Sequence, residues 1–319
     1  MPRLKYLDLN LKPDSITIID QARAILTKFT RAGFKLSLRQ LYYQFVKDNL
    51  FPEKWKDPAT GSTNNERSYD KLGVLMTKAR DCGLIDWDQL EDRNRSIEER
   101  SHWDDPSQII RSAARSYNID LWSDQPTRVE VWVEKDALSD VVGRAAEPLD
   151  VPYLAAKGYI SASTIWYSGY RRFRPHIEAG QNIVVLHLGD HDPSGIDMTR
   201  DIEKRLRLYS GTDNEEALQV RRIALNMDQV EEYNPPPNPA KQTDARFEKY
   251  SAEFGDECWE LDALEPQVIM DLITEQIRSI MDESLFRARE ELQEQGREEL
   301  TNISDNYSDV VAYLNGTGE

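Results

Sequence analysis

Apolar positions in the first third of the chain recur with helical spacing. Over Ser15–Thr30 they are Ile16, Ile19, Ala22, Leu26 and Phe29, one face of a helix that Gly33 ends. Leu38–Val46 repeats the pattern through Leu38, Leu41, Tyr42 and Phe45, with Ser37 as N-cap. A polar stretch at 57–65 precedes a third helix over Tyr69–Asp81, capped by Gly83, and "LIDW" (84–87) reads as one strand of a small hairpin. From Arg128 the period changes. "RVEVWV", "VPYLAA", "NIVVLHL" and "VRRIALN" are short runs rich in β-branched residues. Ile196–Leu206 and "PQVIMDLITEQIRSIM" (266–281) are helical, and "YNPPPNPAK" (233–241) is a rigid loop. Alternating strands and helices predict a doubly wound α/β sheet.

The chain has 319 residues, 39% of them hydrophobic, enough for two domains with cores. The expected boundaries are a helical N-terminal domain over 1–105, a charged connector over 106–124, the α/β domain over 125–285, and a charged C-terminal helix and tail over 286–319. In the first domain, helices followed by a short hairpin predict a winged helix. No apolar run approaches the length of roughly 20 residues that spans a bilayer, and no signal peptide opens the chain, so a cytoplasmic protein without a membrane partner is expected. Cys82 and Cys258 lie far apart, and the four histidines form no ligand pattern; inert thiols in a reducing compartment are expected.

A net charge of −17 argues at first against nucleic acid. The charge is uneven, however. Residues 1–105 carry 18 Lys and Arg against 17 Asp and Glu, a net +1, which leaves −18 on the remainder. A DNA-facing surface is therefore expected in the first third, on Lys71, Lys78 and Arg80 of the third helix.

The candidate chemistry sits at strand ends. "VVLHLGDHDPSG" (184–195) runs from a buried strand into a turn bearing Asp190 and Asp192, where open α/β sheets place ligands. Two carboxylates at this spacing either share a hard cation or serve as a helix N-cap and a turn residue. Glu134, at the end of "VEVWV", adds a third. Three gathered acids repel unless a cation neutralises them, and oxygen-only ligation suits Mg²⁺ or Mn²⁺, not zinc.

A Glu after the first strand and a DxD after a later one, with "AKGYISAST" (156–164) between, resembles the Toprim fold. Haloacid-dehalogenase phosphatases also carry a DxD, but on their first strand and without an upstream Glu. "LSLRQLYYQF" (36–45) places Tyr42 on the apolar stripe and Tyr43 off it, beside Arg39 at i, i+4. An exposed phenol beside a guanidinium suits a phosphoryl-transfer nucleophile, since Arg holds phosphate and favours the phenolate against a pKa of about 10. The alternative is an amphipathic helix with one exposed Tyr.

Arg-x-Leu-Tyr-Tyr in a winged helix ahead of a Toprim domain resembles the A subunit of topoisomerase VI and its meiotic double-strand-break relatives. The likeness covers residues ~15–285 and is greatest to the small stand-alone phage and mobile-element forms. It implies a CAP-like winged helix followed by a Toprim α/β domain. It also implies Tyr43 as the nucleophile that joins a DNA 5′ end, with Mg²⁺ on Glu134, Asp190 and Asp192. The implied partners are double-stranded DNA and a second copy of the chain, the tyrosine of one protomer working with the metal of the other. The chain departs from the pattern in having no ATPase module, so strand passage would need a separate ATPase B-type subunit, whereas cleavage does not need ATP. Lys241, Arg246 and Asp262 lie outside these motifs and either border the site or shape loops. Two other functions compete: a Toprim nuclease using metal-activated water, and a winged-helix DNA-binding protein without activity.

Overall fold

Pro13, pre-set for a first helical turn, opens α1 (Pro13–Arg31) in a computed structural model that describes residues 4–91, 100–241 and 243–316. Its buried face is Ile18, Ile19, Ala22, Leu26 and Phe29, while Ile16, expected in the core, is exposed. After the two-residue strand β1 (Leu36–Ser37), a capping box starts α2 (Leu38–Lys47): the Ser37 side chain accepts from the Gln40 amide, and the Ser37 amide donates to the Gln40 side chain at 2.8 Å. α3 (Glu66–Asp81) begins ahead of Tyr69 because the Asn65 side chain accepts from the Ser68 amide at 2.9 Å.

"LIDW" is not a strand. Gly83 takes a left-handed conformation (φ +67°), and the Leu84 amide folds back onto the Ala79 carbonyl at 2.8 Å, so this segment ends α3 instead of leaving it. The strand falls later, at β2 (Leu90–Glu91), and pairs with β1 in parallel rather than as the expected hairpin. Leu26, Leu41, Phe45, Leu72 and Ile85 close the core among these helices.

Arg80 of α3 does not project toward a ligand. Its guanidinium lies over the Trp87 ring, 5.2 Å from the centroid, and donates to the carbonyls of Trp87 and Leu90. Lys78 is exposed. Arg80→Ala should therefore destabilise the protein by about 1 kcal/mol, because the part-buried Leu90 carbonyl loses its donor, while Lys78→Ala leaves the melting temperature unchanged. Thermal denaturation of the two variants separates these roles.

α4 (Pro106–Ser116) leads into four parallel strands: β3 (Thr127–Val133), β4 (Tyr153–Ala155), β5 (Asn182–Leu188) and β6 (Leu218–Ala224), ordered β4-β3-β5-β6. Alternate residues feed opposite faces. Val129, Val131, Val133, Leu186 and Leu188 pack with α5 (Ser139–Ala146), and Trp132, Ile183 and Val185 share the other core with Ile165 and Phe173. Those last two residues belong to a continuous helical run, α6 (Ala162–Trp166), a π-type turn (Tyr167–Phe173) and α7 (Arg174–Glu178). α8 (Pro193–Ser210) completes that face, and α9 (Met227–Tyr233) follows β6.

The expected Pro-rich loop contributes a strand, β7 (Asn238–Pro239), antiparallel to β8 (Glu257–Cys258) across α10 (Phe247–Phe254). α11 (Pro266–Ile280) packs its Ile269, Ile273 and Ile277 on the sheet.

The connector and the tail are not separate solvated segments. α12 (Glu283–Asp305) lies along α4: Arg111 pairs with Asp305 at 2.5 Å, and Ser304 Oγ donates to the Ser107 carbonyl at 3.0 Å. The Ile119 amide also donates to Gln293 Oε1 at 2.9 Å, so the expected boundary at 285/286 falls inside one helix. α13 (Tyr307–Leu314) ends the described chain. No described helix is long and apolar enough to cross a membrane.

His187, inside β5, is 1% exposed and shares a 2.8 Å hydrogen bond with Thr199 Oγ1. Burial, and then the Arg222 charge, push its pKa down to about 3. The unfolded chain takes up this proton near pH 6.5 and the folded chain does not. The stabilisation is thus complete above 6.5 and is lost at about 1.4 kcal/mol per pH unit as pH falls toward 3. His187→Gln should flatten the acid limb of a stability–pH profile measured by urea denaturation; an unchanged slope would contradict a neutral, buried His187.

Candidate active-site cleft

β3 and β5 are neighbours, and the chain leaves them toward opposite edges of the sheet, to β4 on one side and β6 on the other. That is a topological switch point, with its crevice beyond the carboxyl ends of the two strands. Val133 pairs with Leu188 at the last register position, which brings the residues after each strand together. The Glu134 amide donates to the Leu188 carbonyl at 2.9 Å, and the Asp190 amide donates to Glu134 Oε2 at 3.0 Å. Burial, and next the Asp190 charge, raise the Glu134 carboxyl to about 7; Asp190 is raised as well, chiefly by burial. Asp192 has the capping role, its Oδ1 accepting from the Gly195 amide at 2.6 Å at the start of α8.

The turn that carries these acids is clamped from behind by Arg222. Its guanidinium donates to the carbonyls of Gly189 at 2.9 Å, Asp190 at 2.6 Å and Gly195 at 3.0 Å. Gly195 packs so closely on the Asp190 carbonyl that any side chain there would overlap it.

A second layer of charge links this site to α2. Lys135 Nζ lies 2.9 Å from Asp190 Oδ1, from Glu260 Oε2 and from Asp262 Oδ1. Arg39 reaches the same two carboxylates from the other side, with Nη2 2.6 Å from Glu260 Oε2 and Nε 3.2 Å from Asp262 Oδ2. Asp262 is buried, and the Leu261 amide between the two acids donates to Asp190 Oδ1 at 2.8 Å. Despite its burial Glu260 is held down to about 2, mainly by Lys135.

The tyrosine pair departs from the expectation in one respect. Tyr42 is in the core as expected, but Tyr43 is also buried, at 3% exposure. The face of α2 left bare by the apolar stripe packs on the 261–263 turn, and Ala263 joins the core of the N-terminal helices. The two phenols are nonetheless held differently. Tyr42 Oη accepts from the Asn65 amide at 2.7 Å and donates among Asn64 Oδ1 (3.0 Å), the Asn65 carbonyl (3.2 Å) and the Thr63 carbonyl (3.4 Å). Burial pushes it up to about 12. Among the described residues, Tyr43 Oη meets Arg39 Nη2, at 3.4 Å, and the Glu260 carboxylate. Burial pushes the Tyr43 phenol well above its usual value, and the Asp262 and Glu260 charges add to this. Arg39 does not win the phenolate against them, contrary to the reading from spacing alone.

Tyr42, Tyr43, Arg39, Glu134, Asp190 and Asp192 all line one cleft of about 810 Å³, so a single chain holds both the tyrosines and the carboxylates. Lys241 lines it too, whereas Arg246 is tied to Asp244 at 2.8 Å and Asp197 at 3.1 Å. Cys258 lines the cleft, but burial raises its thiol to about 12, so it is no nucleophile at neutral pH. Of the three cations expected on DNA, Lys71 lies over the Trp55 ring at 5.1 Å, with Arg67 and Lys54 close enough to lower its pKa further after desolvation.

By donor type the three acids fit a hard divalent cation. Each uses one oxygen on a protein partner and leaves the other without a hydrogen bond among the described residues. No group of three His, Cys, Asp or Glu among those residues stands in ready ligand geometry, so a cation would have to draw the carboxylates together. Compared with known protein families, curated proteins and solved structures, the chain has no match.

Sequence reasoning missed Lys135, Glu260 and Arg222. Glu260 and Asp262 repeat the alternate-acid spacing of Asp190 and Asp192, which is the signal that would have pointed to them.

Proposed function

We propose that this chain is a Mg²⁺-dependent DNA transesterase, similar in kind to the topoisomerase VI A subunit. The observation that carries the reading is the placement of Tyr43, with its lightly held hydroxyl, in the same cleft as Glu134, Asp190 and Asp192. In the reaction Tyr43 Oη forms a bond to phosphorus as the bond from phosphorus to the 3′ oxygen breaks. The 5′ phosphate stays on Tyr43, and the leaving oxygen takes a proton to become a 3′-hydroxyl. Glu260, hydrogen-bonded to the Tyr43 hydroxyl, is the carboxylate that takes the phenol proton, and its basicity rises for that role as Arg39 leaves it for the phosphate. Arg39 meets the phosphate by exchanging its carboxylate partners for it. Mg²⁺, held by Glu134, Asp190 and Asp192, would supply positive charge against the phosphate and relieve the crowding of these acids.

Two copies of the chain would cut both strands of a duplex, and strand passage would need a separate ATPase subunit. The hydrolytic nuclease is the second reading, and one observation favours it: the raised pKa of the Tyr43 phenol makes it a reluctant nucleophile. Supercoiled plasmid incubated with the protein and Mg²⁺, then denatured in detergent, tests the two. Transesterification gives cut DNA that enters a gel only after protease digestion. A nuclease gives protein-free ends, and uncut plasmid contradicts both.

A further inference from the structure

Residues 151–177 contain no Asp or Glu, in a chain where 57 of 319 residues are acidic. The same window holds Lys157, Arg171, Arg172 and Arg174. It begins at the cleft: Lys157 bridges to Lys135, and the Gly158 amide donates to the Glu134 carbonyl at 3.2 Å. From there it runs out along α6, the π-type turn and α7, which lie over one face of the sheet.

The inner side of this run is core, through Ile165 and Phe173. Its outer side carries Trp166, Tyr167 and Tyr170, which are 41%, 56% and 40% exposed. Clustered large aromatic side chains at the surface mark interaction sites more often than single exposed ones do. Trp166 and Tyr170 are stacked, with centroids 5.3 Å apart and planes 18° apart. The Arg171 guanidinium lies 5.8 Å from the Trp166 centroid and 5.7 Å from that of Tyr170, and Arg174 covers Tyr170 at 5.5 Å. Arg172 turns inward to Glu130 at 2.5 Å, and Arg174 shares Glu178 at 2.7 Å. Among the described residues no carboxylate pairs with Arg171. The platform is braced from beneath, because Gly169 lets α8 approach until a Cβ there would stand 2.9 Å from that of Tyr209.

We infer that this aromatic–arginine platform binds single-stranded nucleic acid. Its rings offer flat faces on which unpaired bases stack, and its unpaired guanidinium matches a phosphate. A duplex hides its base faces, and an acidic protein segment would have no use for stacked rings. The proposal does not depend on cleavage by Tyr43: the platform binds a strand with or without chemistry in the cleft.

The test is fluorescence anisotropy of the full chain with a labelled oligothymidylate of about 20 nucleotides, longer than one stacking platform occupies, in EDTA so that nothing is cut. Trp166→Ala should weaken binding about tenfold, the loss expected for one stacked base, and Tyr170→Ala, which removes the ring that backs Trp166, should weaken it less. Arg171→Ala should reduce the slope of log affinity against log salt by about 0.7, one phosphate contact on a single strand. Binding is read in EDTA, where no strand is cut, so a failed cleavage assay and a failed platform are distinguishable. Arg171 is exposed, and Arg171→Glu serves if an aromatic variant does not fold. A wild-type chain that does not bind the oligonucleotide, or Trp166→Ala and Arg171→Glu proteins that bind it as wild type does, would overturn the inference.

Discussion

Glu134→Gln should abolish Mg²⁺-dependent DNA cleavage and Mg²⁺-dependent stabilisation together, while leaving the metal-free protein at least as stable as wild type. Glu134 is a partly buried carboxyl raised to about 7 by burial and by its acidic neighbours, so at pH 8 its charge opposes folding. Gln keeps a carbonyl oxygen to accept from the Asp190 amide but removes the repulsion. In wild type, Mg²⁺ at a hundred times its Kd should add about 2.7 kcal/mol of stability by linkage, and the variant should gain almost none. Thermal shift with and without Mg²⁺ at pH 8 reads both arms. Equal Mg²⁺ stabilisation of the two proteins would remove Glu134 from the site. Asp190→Asn is the less clean variant. Asp190 Oδ1 faces both Lys135 and the Leu261 amide, so neutralising it leaves a buried ammonium with less compensation and costs stability as well.

The tyrosine pair should separate activity from stability. Tyr43→Phe keeps the buried ring and removes a hydroxyl that, among the described residues, meets Arg39 and Glu260. Stability should change by about 1 kcal/mol or less, and cleavage should fall on the order of 10⁴-fold or more, as when any essential nucleophile is removed. Tyr42→Phe should do the reverse. It removes the nearer acceptor of the part-buried Asn65 amide, which keeps the Thr63 carbonyl at 3.0 Å, and takes a donor from the buried oxygens around it, at a cost of about 1 kcal/mol, and leaves the chemistry in place. Urea denaturation and plasmid cleavage on the same two preparations give the comparison. Loss of cleavage in Tyr42→Phe with retention in Tyr43→Phe would reverse the assignment.

How much of this could be read from the sequence depended on how local the cause was. The four strands of the sheet and the Ser37 cap are set by neighbouring residues, and they were legible. So was the meeting of Glu134 with Asp190 and Asp192, because parallel strands on either side of a switch point bring their ends together whatever lies between. Tyr43 was legible as the phenol beside Arg39, but not as a buried one. The stripe on α2 describes a helix covered on one side, and α2 is covered on two. The ladder of Arg39, Glu260, Lys135, Asp262 and Asp190 joins residues from four distant segments, and no periodicity in one segment announces it. Arg80 misled because a cation on a helix looks the same in sequence whether it faces a phosphate or caps its neighbour's carbonyls. The connector and tail misled for a related reason: α4 and α12 are each polar enough to be solvated alone, but they pack along one another, and α12 also buries Phe286 on Trp122.

The most direct measurement is the identity of the residue that carries DNA. Wild-type protein is trapped on plasmid with Mg²⁺ by denaturation, digested with nuclease and trypsin, and the peptides are analysed by mass spectrometry. A nucleotide is expected on the peptide containing Tyr42 and Tyr43, placed on Tyr43 by fragmentation, and absent from the Glu134→Gln protein. Cut DNA with no modified peptide, or a nucleotide on any other residue, would contradict it.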